Sequence, residues 1–214
     1  MKFFKIKIPQ PIINFLVLAV GLNLLRIVLF GNTSFIYILW NILLAFIPFF
    51  ISSILILKTN KDNIIKPFFI IGFILWLIFL PNAPYVITDF IHLGKIHVVP
   101  VMYDIFLLFT SAVVALLMGL YSIFHMEKML LLKFSKKVTN ILIAIIILFT
   151  SFGMYLGRFL RFNSWDLFVS HNSLAFGIWN ALSNPNNLMN IYTYTVLFFI
   201  FIYVSYISFK SSSW

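Results

Sequence analysis

Six long apolar runs, near residues 12–30, 35–57, 64–80, 101–124, 138–156 and 191–209, constrain this chain more than any other feature. A hydrocarbon layer about 30 Å thick takes ~20 apolar residues of helix. Five of the runs approach or exceed that length, and the connections between them leave little room for a soluble domain. Lipid offers no hydrogen-bond partner to the backbone, so an apolar run of this kind crosses as a helix. The expectation is an all-α integral membrane helical bundle with about six transmembrane helices, forming one membrane domain over residues 1–214. Composition agrees, since 9% of residues are charged and mean hydropathy is +1.08, whereas roughly a quarter of a soluble domain is charged.

Local signals sharpen the boundaries. Lysines at 2, 5 and 7 precede the first run, which is longer than a signal-peptide core and has no small-x-small cleavage pattern after it, so it is kept as a span. The third run rises only about 26 Å at 1.5 Å per residue, which predicts that it ends inside the outer interface. Pro81 and Pro84 each lack a backbone donor and disfavour helix at the residue before them. Leu80 and Ala83 are therefore expected in extended geometry, with the chain leaving helix there. Residues 166–190 are too polar to span, and with Trp165 just before them and Trp179 among them they predict an interfacial helix, a belt anchor or a lid.

Charge sets the orientation. With six spans, the N-terminus, loops 58–66 and 125–137 and the C-terminus share a side. That side carries Lys2, Lys5, Lys7, Lys58, Lys61, Lys66, Lys128, Lys133, Lys136, Lys137 and Lys210, against Asp62 and Glu127. The other side carries Arg26, Lys95, Arg158 and Arg161, with Asp89, Asp104 and Asp166. Basic loops are retained in the cytoplasm, so the distribution predicts N-in, C-in in a cell membrane. The net charge of +10 then reflects topology and attraction to anionic headgroups rather than nucleic acid.

The chain has no cysteine, which removes disulfides, thiolate metal sites and cysteine nucleophiles. It also lacks a GxSxG elbow, an HExxH helix and a Gly-rich phosphate loop. No catalytic residue, cofactor or oligomeric state follows from the sequence.

What distinguishes the less basic side is its non-lysine charge. In the segment Leu80-Pro-Asn-Ala-Pro-Tyr-Val-Ile-Thr-Asp-Phe-Ile-His92, Asn82 and Tyr85 can serve freed backbone groups. A helix resuming after Tyr85 would set Thr88, Asp89 and His92 on one face; the plainer alternative is Thr88 as N-cap with Asp89 in the first turn. Asp104, after Tyr103, either complements a helix N-terminus or faces the bundle and pairs with an arginine. Arg158 and Arg161, three apart, would share a helix face, with Asn163 or Ser164 capping a helix that starts near Asp166. Snorkelling explains such arginines more simply, whereas a guanidinium fork suits phosphate or carboxylate. Arg26, in the outer half of the first span, costs ~2.5–3.5 kcal/mol unpaired at mid-membrane, so Asp104 or Asp89 is its expected partner. A metal held by Asp89, His92, Asp104 and Asp166, with His97 or His171, lacks diagnostic spacing, and no metal site is assigned.

Leu80-Pro-Asn-Ala-Pro-Tyr85 with Thr88-Asp89, then Tyr103-Asp104, then Gly157-Arg-Phe-Leu-Arg-Phe-Asn-Ser-Trp-Asp166, resembles an uncharacterised family of bacterial multi-pass membrane proteins, catalogued as a domain of unknown function. The resemblance covers roughly residues 70–170. It implies membrane location and marks these residues, and implies no substrate, activity or cofactor.

The residues together predict a polar site at the outer face for an anionic headgroup or lipid-linked ligand. Arg158 and Arg161 would bind it, and Asp89, Asp104, Asp166, Asn82, Tyr85, Thr88, His92 and Arg26 would gather near it. An accessory subunit whose charges only lock helices, and a small transporter, are the alternatives. Ionisable residues do not continue visibly through the cytoplasmic half, which weighs against transport.

Overall fold

A computed structural model of the chain describes residues 8–60, 62, 64, 66–93 and 99–212, apart from the side chains of residues 168, 185, 186 and 212. Lys2, Lys5, Lys7, Lys61, Lys95 and His97 lie outside the described residues. The protein is 84% helical with no strand among them, and six helices are long and apolar enough to cross a membrane. It is a helical membrane bundle. The chain divides into two compact units, residues 1–133 and 134–214.

In the first unit, α1 (Gln10–Phe30) and α2 (Tyr37–Lys58) are joined by a short turn. Gly31 closes α1 at φ 60°, its N–H bonding to Ile27 O at 2.9 Å. Left-handed backbone at a helix end favours glycine because a Cβ would crowd the following carbonyl. The chain continues as α3 (Pro67–Phe79), α4 (Asn82–Tyr85), a 3₁₀ segment (Val86–His92) and the long α5 (Val101–Leu130). Helix α5 is the hub, packing against α1, α2, α4 and the 3₁₀ segment, while α3 packs on α2. Ile38, Ile42, Ala45, Phe49, Leu107, Leu108, Val114 and Ala115 form the buried seam between α2 and α5.

The proline segment departs from the expectation of extended backbone. Leu80 is helical (φ −56°, ψ −39°), as is Pro81 (φ −56°, ψ −28°), and Pro67–His92 reads as one candidate span of 26 residues. The third run therefore does not stop at residue 80. The two missing donors are accommodated by tightening and by side chains: Ala83 N–H bonds to Leu80 O at 3.1 Å, and Asn82 Nδ2 donates to Phe79 O at 2.9 Å. Such local 3₁₀ adjustment lets a proline-bearing helix persist where no water is at hand. Close approach fixes its position. A Cβ on Gly119 of α5 would lie 3.0 Å from Ala83 Cβ, so glycine is what lets α4 press against α5.

In the second unit, Ser135 caps α6 (Lys136–Phe159), accepting from Val138 N–H. Short α7 (Asp166–Val169) and α8 (His171–Ser183) follow, then α9 (Pro185–Ser212), which packs along α6. The 13-residue α8, with Phe176, Trp179 and Leu182 exposed, lies within the stretch where an interfacial helix is expected. Tyr155 stacks on Phe159 at 5.0 Å, and Phe159 meets Tyr194 of α9 at 4.4 Å. Across the spans the outward faces stay apolar, as at Val17, Val28, Phe106, Phe149 and Val204. In a bilayer these side chains meet lipid tails as apolar as themselves, so exposure carries no penalty.

Candidate functional site

Arg26 is the best-defined charged group of the first unit, 1% exposed near the C-terminal end of α1. Its Nε donates to Asp104 Oδ1 at 2.8 Å and its Nη2 to Oδ2 at 3.4 Å, a side-on fork between α1 and α5. Nη1 turns back to Asn32, bonding its backbone oxygen at 3.1 Å and its side-chain oxygen. The guanidinium also lies 4.6 Å from the centre of the Phe35 ring. Four of the five guanidinium N–H groups are thus engaged, and an aromatic face covers the plane. Beside it, Tyr103 donates to Leu22 O at 2.6 Å. Asp104 is therefore the bundle-facing partner of an arginine.

Asp89 is also buried, at 1% exposure, and accepts from Asn41 Nδ2 of α2 at 2.8 Å. His92 sets its ring edge-on to Tyr37 at 5.8 Å. Tyr37 and Asn41 are four apart on α2, and Asp89 and His92 are three apart in a 3₁₀ segment, where such residues eclipse. Thr88 is consequently displaced by a third of a turn rather than sharing their face. It does not cap, and instead donates to Tyr85 O at 2.7 Å. Asn82, as described, serves the backbone of its own segment.

In the second unit, the expected shared helix face of Arg158 and Arg161 is not formed. Helix α6 ends at Phe159, and Arg161 stands beyond it with φ 59°. Phe162 N–H then reaches back to Leu156 O at 3.3 Å, closing the helix end. Asp166 turns toward the same loop and accepts from Asn163 N–H at 2.6 Å, while Asp166 N–H bonds to Asn163 O at 3.0 Å. The reciprocal pair makes Asn163–Asp166 a rigid turn entering α7. A Cβ on Gly177 of α8 would meet the Phe162 ring at 2.7 Å, so glycine lets α8 close on this loop.

The expected convergence of Arg158, Arg161, Asp89 and Asp104 joins residues of different units. Within the first unit, Asp104 goes to Arg26 and Asp89 to Asn41. Among the described residues, no three His, Asp or Glu side chains gather as a metal site would need.

Several partly or fully buried polar groups carry no clear signal in the sequence. Asn41 is one, a lone amide inside an apolar run. At the opposite end of the same unit, α5 continues through His125 and Glu127, although the apolar run stops at residue 124 and leaves both in an expected loop. Ser52 Oγ lies 2.9 Å from Phe49 O and 3.2 Å from His125 Nδ1, so the serine hydroxyl links α2 to the imidazole on α5. Glu127 is 2% exposed. Continuing the helical pattern about two turns past residue 124 would bring both onto α5.

No curated protein and no solved structure matches the chain. A family model described as protein of unknown function (DUF1361) matches residues 40–205, which takes in the proline segment, Tyr103-Asp104 and the Gly157–Asp166 loop. The chain belongs to the DUF1361 family.

Proposed function

We propose that the protein lies in the cell membrane with both termini in the cytoplasm, and that Arg158 and Arg161 bind an anionic lipid headgroup or lipid-linked substrate at its outer face. The observation that carries this reading is Arg161. It is exposed, charged and held in left-handed backbone, a conformation that costs a non-glycine residue roughly 1–2 kcal/mol. Strain of that kind persists at ligand clamps because the side chain is needed where the loop puts it. The Asn163–Asp166 turn and the Gly177–Phe162 contact brace the loop from its other side. A guanidinium so presented suits a phosphate or carboxylate fork.

The buried Arg26–Asp104 pair favours a second role for the first unit, that of a lock between helices. Its donors are nearly saturated and covered, so in this reading Arg26 and Asp104 support the fold while the loop of the second unit takes the ligand.

Lipid co-purification tests the proposal. Wild-type protein extracted from membranes should retain anionic or lipid-linked species visible by native mass spectrometry, and Arg158→Ala/Arg161→Ala should reduce their occupancy about tenfold. Equal retention by the double variant would overturn it.

A further inference from the structure

Residues 160–186 connect two candidate spans, Lys136–Phe159 and Asn187–Ser211, yet present Leu167, Val169, Phe176, Trp179 and Leu182 at their surface. Within a span such side chains meet lipid tails, but in a connection they need another cover. We infer that the bilayer surface is that cover: α8 rests along it with Trp179 and Leu182 at the boundary of headgroups and acyl chains, and so fixes the Arg161 loop at headgroup depth. The consequence for ligand binding rests on the function proposed above; the seat of α8 does not.

At about 3.6 residues per turn, the surface of α8 divides into three flanks. Leu174, Gly177, Ile178 and Ala181 recur at helical spacing and turn inward, Ala181 packing with Tyr155 of α6 and Ile191 of α9. Ala175, Trp179 and Leu182 form a second stripe beside the first and are exposed, with Phe176 adjoining it. Ser173 and Asn180 keep the last flank polar. One flank for protein, one for lipid and one for water is the arrangement of a helix lying in the interface. Helix α8 carries no Asp, Glu, Lys or Arg, so its apolar stripe rather than charge holds it there, and a tryptophan favours that depth. The spans set the level. Phe159, in the last turn of α6, meets Tyr194 of α9 at 4.4 Å, so both span ends stand together and lipid is the neighbour that α8 meets first.

Arg161 is tied to this helix through the residues on either side of it. Leu160 packs against the cluster that contains Ala181, and a Cβ on Gly177 would meet the Phe162 ring at 2.7 Å. Both neighbours of Arg161 therefore rest on the inward flank of α8, and the depth of α8 sets the depth of the guanidinium.

The chain has no cysteine, so a single introduced thiol reports on one position. Leu182→Cys and Asn180→Cys, labelled with bimane in the full chain, would be placed in nanodiscs of brominated phosphatidylcholine. Bromine should quench the label at 182 about threefold more than the label at 180, and aqueous iodide should reach the label at 180. Equal quenching at the two positions would overturn the placement. A label at 182 shielded from bromine and iodide alike would also overturn it, by showing that a second copy or another protein covers the flank. Phe176→Ser/Trp179→Ser alters exposed side chains and leaves both arginines in place. It should lower retention of phosphatidylglycerol in native mass spectra about fivefold, whereas Ser173→Ala/Asn180→Ala should not. Retention that survives Phe176→Ser/Trp179→Ser but is lost in Arg158→Ala/Arg161→Ala would overturn the link between α8 and the loop and leave the proposed function standing. Retention that survives both would refute the proposed function, and the quenching pattern would then decide the seat of α8 by itself.

Discussion

Arg26 and Asp104 interact where water is excluded, and removing one partner strands the other. Breaking a buried pair in this way costs about 3–5 kcal/mol, whereas replacing both by apolar residues of similar volume is often neutral or better. Arg26→Ala or Asp104→Ala should therefore sharply lower resistance to unfolding in a steric-trapping or denaturant assay. Arg26→Leu/Asp104→Leu should recover most of the loss, and recovery of function along with stability would assign the pair a purely structural role. Arg161 predicts the reverse separation. Relieving its left-handed backbone with Arg161→Gly should leave stability unchanged or raise it by about 1 kcal/mol, while lowering retained anionic lipid in the mass spectrum. Unchanged lipid occupancy would show that the loop tolerates the arginine without using it. Both arginines stand out in the sequence as unusual, because charge beside an apolar run is visible without coordinates. That one is enclosed and the other exposed is not visible there, since the enclosure depends on Asp104, 78 residues further along the chain, and on how the turn after α1 folds back over Arg26.

At the scale of elements, the proline segment shows how a helix survives two missing donors. Proline penalties assume that the orphaned carbonyl finds nothing else. Here the tightened bond from Ala83 N–H to Leu80 O and the Asn82 side chain on Phe79 O take up that role, and the third candidate span runs on to His92. Its packing depends on Gly119. Gly119→Leu must displace the α4 backbone beside Ala83 and should cost about 1–3 kcal/mol by overpacking. Gly21→Leu, whose added Cβ meets nothing within 4 Å, should cost nothing in the same unfolding assay. Equal effects would mean that α4 does not rely on close approach to α5. Both prolines and the glycine are plain in the sequence, yet proline rules are local and predict a break. The partners that prevent it include a side chain one residue beyond Pro81 and a bare helix face on α5, well over a span's length further along the chain.

For the whole molecule, orientation is the property most directly testable. A reporter fused after the C-terminus, or within the turn at residues 131–135, should read cytoplasmic, and one inserted near residue 95 or 170 should read external. An external signal from the C-terminal fusion would overturn the proposed orientation and move the Arg158–Arg161 loop to the cytoplasmic face. The amino-acid sequence alone determined that the chain is a membrane bundle of about six helices, because transfer of apolar side chains and an obligatory internally bonded backbone act on each segment independently. It also indicated which positions carry unusual charge. Only tertiary structure decided how those charges are used. Asp104 went to Arg26, Asp89 went to the Asn41 amide, which nothing in its own apolar run singles out, and Arg161 was turned out of its helix. Which donor meets which acceptor depends on helix rotation and depth, and those follow from side-chain packing between segments rather than from the composition of any one of them.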